Sequence, residues 1–239
     1  VEELLADLAA QHRELAAILR SLDDAGWARP SRCPGWSVAD VVVHLAQADE
    51  LAVASLAGTF DGSLGGAADV DEWAAQGVGA EPGREPTKVL LRWQVATAAL
   101  VDALRSGDPS RRVTWVAGTL SARTLAATRL AECWIHTGDI APTEPAERLR
   151  HVARLAWRTL PYAFARAGRA APGPVAFHLT GPTGAPWTFD PAEPATTTVT
   201  GSGVELCEVA AQRRRAATTS LHADGPDAAA VLDLVRTFA

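Results

Sequence analysis

The chain has 239 residues, 48% of them hydrophobic, and a net charge of −6 at pH 7. That apolar share excludes disorder as the main state, and the acidic balance leaves no basic field to draw in nucleic acid by counterion release. No apolar run approaches the roughly 20 residues of a membrane helix, and Cys33, Cys133 and Cys207 lie too far apart for a disulfide framework or a C-x-x-C zinc site.

Along residues 1–22, Leu4, Leu5, Leu8, Leu15, Ile18, Leu19 and Leu22 recur with a helical period, which predicts a helix packed on one side. This start is acidic and lacks a basic leading segment and a small-residue cleavage site, so a cytoplasmic protein is expected. The stretch "DDAGWARPSRCPGW" breaks the pattern. A second helix is predicted from Ser37, a good N-cap, with Asp40 completing a capping-box-like start, to a stop at Gly58. The segment 58–86 is rich in Gly and acidic residues and too long for an idle connection, so it reads as a crossover or lid with a short helix near Trp73. A third helix is predicted over about 87–106, and Ser121 can cap a fourth over about 121–138. Four such helices fit a bundle with one long connection.

From Pro142 the texture changes. A helix over about 145–168 precedes three short runs, "GPVAFHLTG", "APWTFDP" and "ATTTVTG", that read as strands between Gly and Pro turns. Helical "GVELCEVAAQRRR", a strand-like "TTSLHADG" and a last helix from Pro226 follow. The expected fold class is therefore α+β, a four-helix bundle over 1–144 followed by a small α+β domain over 145–239.

The chemistry-bearing stretch is "AECWIHTGDI", residues 131–140. Glu132 and His136 stand four apart, so a helix would stack them on one face. Such a pair is either an ion pair or two members of a metal site. His44 lies in the apolar run "VVVHLA", where an unpaired imidazole is costly to bury. If the second and fourth helices converge, His44, Glu132 and His136 form a two-His, one-carboxylate set with open coordination positions, the pattern of catalytic rather than structural metal sites.

The runs "RPSRCPGWSVADVVVHLAQADE" and "LAECWIHTGDIA" resemble the N-terminal domain of the mycothiol-dependent maleylpyruvate isomerase family, a branch of the DinB/YfiT-like metal-binding four-helix bundles. The second half, from "RLRHVARLAWRTLPYAFARAG" through "VTGSGVELCEVAAQRRRAATTSLHADG", resembles an actinobacterial metal-binding subgroup labelled "wyosine base formation". The resemblance implies a DinB-like bundle whose metal is held by His44, Glu132 and His136. Zinc is the ion it implies, although imidazole and carboxylate also suit nickel, iron and cobalt.

Asp139, three residues after His136, and Asp40, four before His44, are candidates to hold the free ring N–H of those histidines. Each also has a plain reading, Asp40 at a helix N-terminus and Asp139 at a last turn. Asp49 and Glu50 read as solvated. Trp36 can wall a pocket or sit in the core. Arg213, Arg214 and Arg215 form a basic cluster that can grip a carboxylate or the anionic part of a thiol cofactor, or end a solvated helix. Cys33 and Cys133 lie beside the motif residues with no sign of reactivity in the sequence.

Three functions remain open at this point. One is an enzyme that takes mycothiol, as thiolate, at the open metal position for isomerisation or S-transfer on a small electrophile. Another keeps the metal without the thiol, as a hydrolase, lyase or cyclase of specialised metabolism. The third is a non-catalytic small-molecule-binding protein. The sequence is silent on the oligomeric state.

Overall fold

The computed structural model describes residues 1–67, 69–116 and 118–237. The protein is mixed α+β, its helices concentrated in the N-terminal part and its larger sheet in the C-terminal part. The chain divides into two compact units, Val1–Thr143 and one that begins at Glu144.

In the first unit, α1 (Glu2–Arg20), α3 (Val38–Ala57), α5 (Pro86–Ser106) and α6 (Ala122–Ile140) pack as a four-helix bundle. Leu8, Leu15, Leu45, Leu100, Leu125 and Leu130 are fully buried between them. Helix α3 starts and stops where its sequence requires. Ser37 Oγ accepts from the Asp40 N–H, the Asp40 side chain accepts from the Ser37 N–H, and Gly58 takes the left-handed conformation at φ 77°. These caps fix which residues of α3 face the bundle, and so place His44. The short α2 (Asp24–Ala28) and the loop 29–36 lie before it, and α4 (Val70–Ala80) sits in the long connection and packs on α3.

Sequence reasoning missed the hairpin of β1 (Arg112–Trp115) and β2 (Gly118–Ser121), two antiparallel strands of four residues each. They are too short to show an alternating pattern, and Gly118 at φ 104° permits the tight return. The hairpin delivers the chain to Ser121, whose side chain caps α6 by accepting from the Thr124 N–H.

In the second unit the single helix expected over 145–168 is three pieces: a 3₁₀ turn at Glu147–Leu149, then α7 (Arg150–Arg158) and α8 (Leu160–Arg166). Pro161 lacks the N–H that would continue the ladder, which ends α7 and starts α8. The strands β3 (Val175–Thr180), β4 (Pro186–Phe189), β5 (Thr197–Ser202) and β6 (His222–Asp224) form a sheet of order β4-β3-β5-β6, parallel only between β3 and β5. Helix α9 (Gly203–Ala210) ends before the arginine cluster, because Gln212 takes a positive φ of 58°. A last helix, α10 (Ala228–Leu234), closes the unit. None of the described helices is long and apolar enough to cross a membrane.

Candidate metal centre

Helix α6 is buried almost all round, including Arg129, Glu132, His136 and Asp139, so its polar side chains must find partners inside the bundle. Helix α3 packs against it and brings His44 to the same place. Glu132 Oε2 lies 3.7 Å from His44 Nε2 and 3.6 Å from His136 Nε2. The two imidazoles meet edge to face with centroids 5.1 Å apart. One ligand atom from each of the three residues lies within 4.8 Å of the others, and all three side chains are buried.

These separations discriminate between readings. A charge-assisted hydrogen bond would draw nitrogen and oxygen to about 2.7–2.9 Å. An ion with ligand bonds near 2.1 Å sets tetrahedral ligand atoms about 3.4 Å apart. The observed spacing lies on the larger side, beyond an ordinary charge-assisted hydrogen bond. His44 Nδ1 is also buried with no hydrogen-bond partner among the described residues, and its Nε2 faces Glu132 from 3.7 Å. His136 is the opposite case, since its Nδ1 lies 3.0 Å from Asp139 Oδ2. With one proton on Nδ1 facing that carboxylate, a neutral His136 turns an Nε2 lone pair toward Glu132, where a cation can lie between the two acceptors; without a cation, a second proton on Nε2 fills that place. The donor set therefore fits a divalent ion.

The electrostatics favour ligand forms at two of the three. Burial opposes ionisation of Glu132, but the imidazoles of His136 and His44 and the Arg129 guanidinium outweigh it and hold the carboxyl well below the usual range. Burial pushes His44 down, toward the neutral imidazole a metal needs. At His136 burial also opposes charge, yet Asp139, Cys33 and Glu132 outweigh it and raise that imidazole, as fits a site with a place for a cation.

Asp40 does not hold His44. Its carboxylate is taken by Ser37 and by the Arg84 guanidinium, because the local cap lies closer than the next turn of helix. Burial would raise the Asp40 carboxyl, but the Ser37 hydroxyl and Arg84 hold it below the ordinary range. A carboxyl depressed on folding stabilises the fold above its unfolded pKa of about 3.9 and loses that contribution as the pH falls through the folded value. Asp40→Ala is expected to cost about 1 kcal/mol near neutral pH. In urea denaturation the difference from wild type should fade below about pH 4.

Asp49, read as solvated, is buried and bonded to Arg129 Nε at 2.8 Å, whereas Glu50 is exposed and paired with Arg92. The pair joins α3 to α6 deeper in the same seam as the candidate ligands. Sequence reasoning missed Arg129; the available signal was a lone arginine three residues before Glu132 in an apolar run. Trp36 lies over His44, ring centroids 5.3 Å apart and partly buried. Cys133 is buried and its thiol is pushed up by burial, whereas Cys33 is partly exposed and reaches Asp139. In the second unit, Arg213 and Arg214 line a cleft of about 710 Å³ with Arg215. Arg214 is bound to Glu205 and Glu208 and Arg213 Nη1 to the Ala211 carbonyl, so the cluster is tied to its own unit.

A four-helix bundle with a buried His–Glu–His set, followed by a small α+β unit, defines the class. Residues 8–141 match the sequence profile of the mycothiol maleylpyruvate isomerase N-terminal domain. The chain belongs to that family. It is 32% identical over 244 aligned positions to uncharacterized proteins of two Mycobacterium tuberculosis strains, covering 98% of this chain and 95% of each of theirs. Crystal structures of the mycothiol-dependent maleylpyruvate isomerase and of a point mutant of it are similar in fold. Their TM-scores are 0.61 and 0.60 at 20% and 18% identity, over 95% of each chain in both cases.

Proposed function

We propose that the protein is a metal-dependent enzyme that uses a low-molecular-weight thiol, mycothiol by family, to isomerise a small electrophilic substrate or to add the thiol's sulfur to it. The observation that carries this reading is the Glu132 carboxylate, buried between two imidazole nitrogens at 3.6 and 3.7 Å. His44 Nε2, Glu132 Oε2 and His136 Nε2 would hold the ion, zinc first among the candidates, and leave room for an exogenous ligand. The ion, when bound, supplies a Lewis acid that makes a thiol ionise near neutral pH.

The remaining work falls to the chain itself. Asp139 holds the His136 ring through Nδ1 and so aims Nε2. The Trp36 ring packs against the His44 ring, with centroids 5.3 Å apart. His136 and His44, with a smaller contribution from Arg129, keep Glu132 ionised in a buried setting. The protein acts in the cytoplasm on a small molecule.

Calorimetric titration with mycothiol tests the reading. Zinc-loaded protein should bind the thiol, and protein stripped by chelator should bind it at least about 10-fold more weakly, a difference of 1.4 kcal/mol. Equal binding by the two forms would remove the metal from the thiol's site.

A further inference from the structure

Cys33 was unassigned by sequence, and its surroundings are unusually constrained. The loop 29–36 is pinned to the last turn of α6: the Arg29 guanidinium donates to the Ile140 carbonyl, and the Arg32 N–H donates to the Asp139 carbonyl at 2.9 Å. Within the loop, Ser31 Oγ donates to the Trp36 carbonyl at 2.8 Å and accepts from the Cys33 N–H at 3.1 Å. Gly35 makes the turn at φ 79°. A loop bound at both its own ends and to α6 holds the Cys33 side chain in one place. Its Sγ lies 3.2 Å from Asp139 Oδ2 and 3.6 Å from His136 Nδ1.

We propose that Cys33 is a positioning residue of the metal centre, its S–H donating to the same Asp139 oxygen that accepts from His136 Nδ1. The role rests on His136 being a ligand. With two donors converging on Oδ2, the carboxylate is held toward the imidazole. The chain of contacts runs from the loop through Cys33 and Asp139 to His136 Nε2. Cys33, His136 Nδ1 and Asp139 could also hold a cation themselves, their ligand atoms lying within 4.8 Å of one another. Their spacing argues against it. Asp139 Oδ2 sits at hydrogen-bond distance from both partners, 3.0 and 3.2 Å, while the Glu132 carboxylate stands back from its imidazoles.

The test uses full-length wild type, Cys33→Ala and Cys33→Ser, with zinc affinity read by competition against a chromophoric chelator and the site read by the visible spectrum after cobalt loading. Cys33→Ala is expected to weaken zinc by about 10-fold, the lower end for loss of an outer partner, and to shift the cobalt d–d bands. Cys33→Ser keeps an O–H donor and should recover most of both. Wild-type affinity and spectrum in Cys33→Ala would overturn the role while leaving the ligand reading intact. A thiolate-to-cobalt charge-transfer band in wild type that vanishes in Cys33→Ser would overturn it by making Cys33 a ligand. Failure of wild type to take up either metal would overturn the ligand reading and this role with it.

Discussion

Glu132→Gln is expected to weaken zinc binding by more than about 100-fold, beyond the 10–100-fold that loss of an outer partner costs. Glutamine preserves the shape and volume of the side chain, so the bundle is left intact while the charge at the centre of the site disappears. Both histidines address the same carboxylate oxygen, Oε2, which makes Glu132 the common member of the set. His44→Ala and His136→Ala should act in the same direction. Competition with a chelator measures the affinity, and near-ultraviolet circular dichroism checks that the variant remains folded. Glu132→Gln with wild-type affinity would mean that the carboxylate only spaces two core histidines.

Arg129→Met should be the most destabilising of the single substitutions considered, by about 3–5 kcal/mol, the cost of breaking a buried pair by removing one partner. Both side chains are about 2–3% exposed, and the Nε–Oδ1 distance is 2.8 Å. Methionine fills most of the arginine's volume, so the loss reports the Asp49 carboxylate stranded in the bundle rather than a cavity. The double variant Arg129→Met/Asp49→Leu should therefore recover much of that loss, a non-additivity that urea denaturation of the four members of the cycle resolves. A single-variant loss below about 1 kcal/mol would place the pair in the range of solvent-exposed ion pairs.

What the sequence made legible depended on whether the governing interactions were local. Helix α3 was bounded by Ser37, Asp40 and Gly58, all acting within a turn of its ends, and the structure places its limits there. The i, i+4 relation of Glu132 and His136 is likewise a property of one helix. Joining His44 to them required knowing that α3 packs on α6, which spacing leaves open and the family resemblance suggested. Asp40 carried two readings within one turn, partner of His44 or helix cap, and its carboxylate goes to the cap and to Arg84. The Asp49–Arg129 pair was invisible for the opposite reason. Its members are 80 residues apart, and nothing local marks Asp49 as inward-facing until the bundle is assembled. Cys33 follows the same rule, since its role comes from a loop docking on α6. The β1–β2 hairpin was missed because four-residue strands carry too few positions to establish a period.

The most direct test of the account is the metal content of wild-type protein after stripping, reloading with zinc and desalting, read by mass spectrometry beside His44→Ala. The account predicts about one zinc per wild-type chain and close to none in the variant, as a three-ligand catalytic site requires. Wild-type protein with no more zinc than His44→Ala would contradict it, and would return His44, Glu132 and His136 to the role of polar residues packed in the core of a bundle.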